Sequence, residues 1–250
     1  MSNTVKIGTI FLACLLNLFQ ATALKGSIPS TNPGLEKIEW DNSLTLPDLD
    51  GKPNIGVAGA FSGFIGDNLI IAGGANFPNA TPWNGGNKTY WNTIYYINTT
   101  QSVPKWLVLP KGMPKALAYG NSIELPTGIL CIGGCDSTQC YNDVFQIQLI
   151  DGQIKIDTEW PSLPVPLANA TASLLGDKIY VAGGQKSMEK PEATNHFFVL
   201  DLNSRNKGWI ELPAWPGEPR GYAVSTPQSD GFDKCFYLFS GRNYKADGYI

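Results

Sequence analysis

Four times along this chain a short apolar run closes on a small residue and a glycine: Leu69-Ile70-Ile71-Ala72-Gly73-Gly74, Ile129-Leu130-Cys131-Ile132-Gly133-Gly134, Ile179-Tyr180-Val181-Ala182-Gly183-Gly184 and Phe236-Tyr237-Leu238-Phe239-Ser240-Gly241. After each of the first three, beyond a polar loop, stands a second apolar run, at residues 93–97, 143–147 and 196–200. Each unit then reaches a tryptophan and a Leu-Pro step: Trp106 with Leu109-Pro110, Trp160 with Leu163-Pro164, and Trp209 with Leu212-Pro213. Trp40 and Leu46-Pro47 start the series, and the four tryptophans are 66, 54 and 49 residues apart.

A unit of about 50 residues that repeats strand, glycine pair, strand and tryptophan is the kelch form of the β-propeller. One such unit makes a four-stranded blade that cannot bury both faces alone, so it must stack on its neighbours around a central channel. The glycines are expected where an inner strand leaves the channel wall and the chain needs positive φ or room for a close neighbour. The tryptophans are expected to pack between blades. A β-sandwich with turn glycines would not explain why the glycines, tryptophans and Leu-Pro steps keep phase. Three units are complete; the fourth reaches Gly241-Arg242-Asn243 with seven residues to follow, before its outer strands. The predicted fold is therefore an all-β, kelch-type propeller of about three and a half blades, incomplete at the carboxyl end.

Composition narrows the function. With 43% apolar and only 16% charged residues the chain is a folded protein, and a net charge of −3 with no Lys/Arg cluster excludes a nucleic-acid partner. The single histidine, His196, removes multi-His zinc sites and copper chemistry of the galactose oxidase type, which need two or more imidazoles. Placed at the head of the third blade's second apolar run, it reads as structural.

Residues 1–24 hold a Lys, an apolar run from Ile7 to Phe19 and Ala21-Thr22-Ala23. They read as a secretory signal with a small-x-small cleavage site, too short in its apolar run to span a bilayer, with residues 25–250 as the propeller domain. The expected location is periplasmic or secreted, with no membrane partner after cleavage. A lipoprotein box at Leu12-Ala13-Cys14 would cut the middle of the apolar run. In an oxidising compartment Cys135 and Cys140 are candidates for a small loop disulfide; the alternative is that Cys131, Cys135, Cys140 and Cys235 are all reduced, with Cys131 and Cys235 in the core. Without a CxxC pair no zinc site is expected. The Asn-x-Thr triplets at Asn79, Asn87, Asn98 and Asn169 fit a glycosylation acceptor but occur often enough by chance to decide nothing.

Several segments are more specific: residues 56–61, then Gly73-Gly74-Ala75-Asn76-Phe77-Pro78, Pro82-Trp83, Gly85-Gly86-Asn87-Lys88, Ala118-Tyr119-Gly120, Gly133-Gly134-Cys135-Asp136, and Leu212-Pro213 through Pro219-Arg220. In this order the chain resembles, over roughly residues 38–245, the cyclically permuted mutarotase family, relatives of N-acetylneuraminate epimerase. The resemblance implies a six-bladed propeller that interconverts the α and β anomers of N-acetylneuraminate. A base takes the anomeric proton, an acid protonates the ring oxygen, and the ring opens and recloses. It implies an isomerase without metal or organic cofactor, a sugar-acid ligand and a tendency toward homodimers. The competing reading is a non-enzymatic kelch module that binds carbohydrate or protein.

The substrate carboxylate calls for a cation, best the forked donors of Arg. Lys88 and Arg220 match basic positions of the family, and Arg242 and Asn243 follow Gly241 in the equivalent loop. Asn76, Asp136 and Gln185 follow the glycine pairs of the other blades and complete the candidate set. Each has a structural alternative: turn formation for Asn76, solvation for Lys88, an ion pair between blades for Arg220. The family's proposed acidic proton acceptor has no matching segment here. Glu189 and Glu192 do not fit its motif, so no catalytic residue is assigned.

Overall fold

Two-residue turns at Gly66-Asp67, Pro126-Thr127 and Gly176-Asp177 start each complete repeat by folding its first two strands into a hairpin. The computed structural model describes residues 44–48, 51–245 and 248–249; the signal-like segment 1–24 and Trp40 lie outside the described residues. In the first blade β1 (Phe61–Ile65) pairs with β2 (Asn68–Ala72). A loop carrying the short pair β3 (Ala75–Asn76) and β4 (Thr89–Tyr90) leads to β5 (Ile94–Asn98) and the outer β6 (Leu107–Leu109). The second blade is β7 (Asn121–Leu125), β8 (Gly128–Ile132), β9 (Val144–Ile150) and β10 (Gln153–Asp157); the third is β11 (Thr171–Leu175), β12 (Lys178–Ala182), β13 (Phe197–Asp201) and β14 (Ile210–Glu211). All pairings are antiparallel and follow chain order within each sheet. The fourth sheet has two long strands, β15 (Gly221–Ser229) and β16 (Lys234–Arg242), followed by the short pair β17 (Tyr244–Lys245) and β18 (Gly248–Tyr249). This is the propeller that the repeat predicts.

The second strand of each complete blade is largely apolar, in β8 and β12 because both faces pack against neighbouring blades. In β8, Ile129 and Cys131 face a core shared with the first blade, together with Phe61, Ile70, Ile94 and Phe145. Leu130 and Ile132 face the opposite core, with Ile179, Val181 and Phe198 of the third blade. In β12 the roles repeat, Tyr180 and Ala182 turning toward Phe236 of the fourth blade. Each such buried side chain stabilises the joint by about 1.5–3 kcal/mol. The strand period of two thus sends alternate residues to two inter-blade cores.

The glycine pairs sit at the same joints, directly after the second strand of each complete blade and not on the innermost one. Here the structure corrects the expectation from sequence. The innermost strands are β1, β7, β11 and β15. Their contacts cross the blades: the Ser62 backbone N–H donates to Ser122 Oγ at 3.0 Å, Phe64 N–H donates to Glu124 Oε1 at 2.7 Å, and Ser225 Oγ lies 2.8 Å from both Thr171 Oγ1 and Ser173 Oγ. At the glycine pairs the incoming chain of the next blade crosses over. The second glycine donates its N–H to that chain's carbonyl, Gly74 to Leu117, Gly134 to Leu167 and Gly184 to Arg220, at 2.8, 2.8 and 3.0 Å. A Cβ on the first glycine would press on the same carbonyl, at 2.5 Å for Gly73, 2.4 Å for Gly133 and 2.2 Å for Gly183. The fourth repeat has Ser240 at this place, held at a φ of 55°.

Trp160 and Trp209 pack on the core between the second and third blades, where Trp209 Nε1 donates to the Pro161 carbonyl at 2.8 Å. Trp106 is half-buried and joins none of the cores. The third joint is filled by Trp215, which stands outside the tryptophan series.

Candidate functional site

The innermost strands begin, and the glycine-pair strands end, at the same end of the sheets, since Asn121 pairs with Ile132, Thr171 with Ala182 and Gly221 with Arg242. A cavity of about 540 Å³ opens there. Two positions in each of the second, third and fourth repeats build it.

The first position stands between two small residues at the entry to the innermost strand, just before it in the first three blades and at its second residue in the fourth: Gly59, Tyr119, Asn169 and Tyr222, flanked by Ala58 and Ala60, Ala118 and Gly120, Ala168 and Ala170, Gly221 and Ala223. All four are left-handed, with φ of 64°, 62°, 54° and 57°. Their backbones are linked from blade to blade. Tyr119 N–H donates to the Gly59 carbonyl at 2.8 Å, Asn169 N–H to that of Tyr119 at 2.8 Å, and Tyr222 N–H to that of Asn169 at 2.9 Å. The second position directly follows the glycine pair: Ala75, Cys135, Gln185 and Arg242, each bridged to the small residue preceding the first position. Tyr119, Asn169, Tyr222, Cys135, Gln185 and Arg242 all line the cavity, which Lys88, Tyr90, Met188, Pro191, Tyr244 and Lys245 complete.

Among the described lining residues three are cations, Lys88, Arg242 and Lys245, and none is a carboxylate. The Lys88 ammonium donates to the Tyr119 hydroxyl at 3.1 Å and lies 5.0 Å from its ring centre. The Arg242 guanidinium lies over the Tyr222 ring at 4.4 Å, an attraction that strengthens away from water. The buried Gln185 centres a polar network. Its Oε1 accepts from Tyr244 Oη at 2.8 Å and Asn169 Nδ2 at 3.2 Å, and its Nε2 donates to the Ser187 carbonyl at 2.9 Å. Asn169 Nδ2 also donates to the Tyr222 hydroxyl at 3.2 Å. Met188 and Pro191 give the cavity an apolar wall. Burial pushes the Cys135 thiol up to about 11, so it is protonated at neutral pH, and burial, with Cys135 beside it, pushes the Tyr90 phenol up as well.

Of the seven positions singled out from sequence, the structure brings Lys88, Gln185 and Arg242 together in the cavity. Asn76, Asp136 and Asn243 stand one residue further along than Ala75, Cys135 and Arg242, and the strand period turns them away. Asn76 donates to the Gly56 carbonyl at 2.8 Å and accepts from Trp91 Nε1 at 2.9 Å. Asn243 donates to Glu218 at 3.1 Å. Asp136 closes its own loop, accepting from the backbone N–H groups of Thr138 and Gln139 at 2.7 and 2.9 Å and from Tyr141 Oη at 2.6 Å. Arg220 does not line the cavity; its guanidinium donates to the Ser240 carbonyl at 2.9 Å within the fourth blade. Glu189 and Glu192 are exposed and outside the lining. His196 is 2.8 Å from Glu211 and stacks on Phe198. Cys135 and Cys140 face each other across a backbone bridge as free thiols, and Cys131 and Cys235 are buried. Among the described residues no group of three or more His, Cys, Asp or Glu could hold a metal ion. The sequence reading missed Tyr119, Asn169 and Tyr222 as site residues; the signal was the small-x-small frame recurring in all four repeats.

The sequence profile of the N-acetylneuraminate epimerase family matches residues 25–156, more than half of the chain. The chain belongs to this family. Among curated relatives it is similar to the N-acetylneuraminate epimerases of Brucella melitensis, 36% identical over 107 residues (39% of this chain, 26% of that one), and of Vibrio vulnificus, 33% identical over 129 residues (47% and 32%). The N-acetylneuraminate epimerase of Haemophilus influenzae is 31% identical over 106 residues, 39% of this chain and 27% of its own. The chain thus spans about a quarter to a third of the length of these relatives. The solved structure of YjhT shares the fold, with a TM-score of 0.56 and 16% identity over 74% of this chain and 59% of that one. The family match takes in the first two blades, and with them Lys88, Tyr119 and Cys135; Asn169, Gln185, Tyr222 and Arg242 extend the same site beyond it.

Proposed function

We propose that this chain binds N-acetylneuraminate in the cavity at the end of the blades and serves the interconversion of its α and β anomers. One observation carries the reading: three cations converge on a cavity whose described lining contains no carboxylate. A sugar acid brings one carboxylate, which Arg242 and Lys88 suit as charge-assisted donors. It also brings several hydroxyls and an amide, which Asn169, Gln185 and the tyrosines suit as donors and acceptors, and an acetyl methyl that suits Met188 and Pro191. The residues present can hold the sugar and orient its ring oxygen and anomeric hydroxyl.

Ring opening needs a base for the anomeric proton. Among the described lining residues there is neither a carboxylate nor an imidazole, and burial raises the Cys135 thiol to about 11. The base therefore comes from a group outside the described lining. This favours a second reading, a carbohydrate-binding module without isomerase activity. Residues 1–24 support an exported protein, periplasmic or secreted; among the described residues no helix is long and apolar enough to cross a membrane.

The two readings separate in one experiment. The α anomer released by a sialidase is followed by NMR with and without the chain, and binding is measured by calorimetry. Faster exchange is expected for a mutarotase. Binding without faster exchange would leave the module, and no binding would sink both. Arg242→Ala is expected to weaken binding about tenfold or more, the scale of a lost hydrogen bond to a charged group.

A further inference from the structure

Three non-glycine residues at the repeat-equivalent position, Tyr119, Asn169 and Tyr222, are held left-handed at the cavity. Such a residue is strained and persists only where its surroundings over-determine it. Here the surroundings are visible: a relay of backbone hydrogen bonds from blade to blade runs through all three residues. The first blade meets the same backbone demand with Gly59, at no steric cost. Glycine would meet the backbone demand at every one of these positions, so the side chains are there for what they touch: the Tyr119 ring packs on the Cys135, Cys140 and Ala168 cluster and the Tyr222 ring against Tyr244, contacts that use neither hydroxyl.

What the hydroxyls do follows from their hydrogen bonding. A phenol hydroxyl can donate once and accept. The Tyr119 hydroxyl accepts from the Lys88 ammonium at 3.1 Å, and the Tyr222 hydroxyl accepts from Asn169 Nδ2 at 3.2 Å. Neither hydroxyl donates to any acceptor among the described residues. In both, the partner that fixes the oxygen is itself a donor, which leaves the phenol proton for a third party on the cavity side. Lys88 places positive charge at the Tyr119 hydroxyl, and Arg242 places it over the Tyr222 ring. An oxyanion is the partner such a pair would hold best.

We infer that Tyr119 and Tyr222 are a paired O–H donor set for the oxyanion-bearing part of a sugar acid, with Asn169 as the positioning residue that orients Tyr222. The inference rests on the sugar-acid reading of the cavity. It adds to that reading the groups that give it geometric selectivity: two point donors fixed by a left-handed backbone, where a cation alone would attract any anion.

The test uses the full chain with N-acetylneuraminate as probe, affinity by calorimetry and folding by thermal melt. Tyr119→Phe and Tyr222→Phe each delete one hydroxyl and keep the ring. Each is expected to weaken binding about tenfold while the melting temperature stays within a few degrees of the parent. Asn169→Gly relaxes the backbone and removes the amide; it is expected to melt at the same or a higher temperature and yet bind several-fold more weakly. That split cannot come from a merely structural role. If the parent binds and all three variants bind equally well, the donor pair is overturned and the sugar-acid reading stands. If the parent does not bind, the sugar-acid reading falls and takes the pair with it.

Discussion

The first blade and the three that follow share one backbone and differ in what they place on it. In the first blade the two equivalent positions hold Gly59 and Ala75, which do not line the cavity; in the others they hold Tyr119 with Cys135, Asn169 with Gln185, and Tyr222 with Arg242, which do. The blank in the first blade has its own function, because the Tyr119 ring lies across Gly59, where a Cβ would come within 2.4 Å of its Cδ1. The repeat thus separates two duties. Glycine pairs and alternating apolar strands make the joints and are alike in the complete blades. Two positions per blade, one before the innermost strand and one after the glycine pair, carry the chemistry and are free to differ.

If joints and site are separate, the largest effect should come from a joint. In Gly183→Ala the new Cβ would lie 2.2 Å from the Arg220 carbonyl, at a φ of +70°. A left-handed alanine costs roughly 1–2 kcal/mol, and parting the chains also weakens the Gly184 N–H bond to that carbonyl, worth about 1 kcal/mol. A loss of about 3 kcal/mol or more is expected by denaturant unfolding. Gly176→Ala, in the same blade at a φ of +60° with nothing within 4 Å of the added methyl, should cost only about 1 kcal/mol. Equal costs for the two would show that the glycine pair is a matter of backbone angle alone and not a joint.

The next effect is smaller and tests the blank itself. Gly59→Ala is expected to cost about 2 kcal/mol, from the left-handed strain and from displacement of Tyr119, whose backbone nitrogen would also lie 2.9 Å from the new Cβ. Because Tyr119 lines the cavity and Gly59 does not, the variant should also bind N-acetylneuraminate more weakly. Unchanged affinity in a destabilised protein would detach the first blade from the site.

How much of this the sequence discloses follows the same division. The joints are legible because they repeat: an apolar run of both-face-buried strand residues, a glycine pair and a tryptophan recur at a fixed phase, and phase survives even where Ser240 replaces a glycine. Placing the glycine pair on the innermost strand fails for a physical reason. Within one unit, inner and second strands are both short and partly apolar, and only packing against neighbouring blades shows which lines the channel. The site is less legible because its residues do not repeat in identity. Gln185 and Arg242 could be found by counting from the glycine pair. Counting one residue too far gives Asn76, Asp136 and Asn243, and with a side-chain period of two a slip of one points to the other face. Arg220 matches a basic position of the family and suits a carboxylate, yet a guanidinium also suits a carbonyl inside the blade, and Ser240 supplies one. Tyr119, Asn169 and Tyr222 stand at left-handed positions where a reader expects glycine.

The smallest effect separates the inward position after a glycine pair from the one turned away. Burial alone would push the Asp136 carboxyl up, but hydrogen bonds from Tyr141, Thr138 and Gln139 outweigh it and hold the group at about 2, below its ordinary 3.8. A carboxylate whose folded value is depressed contributes stability that is present above the unfolded value and lost as pH falls through the folded one. The parent should therefore melt above Asp136→Asn at pH 5, and the gap should narrow as the pH is brought toward 2. Affinity for N-acetylneuraminate at neutral pH should be the same in both, since Asp136 closes its own loop and does not line the cavity. A gap that persists at pH 2 would assign the stability to the shape of the side chain and not its charge. A loss of affinity in Asp136→Asn would show that the loop reaches the cavity through Cys135, the neighbour that does line it, and that joint and site are less separable in the second blade than in the others.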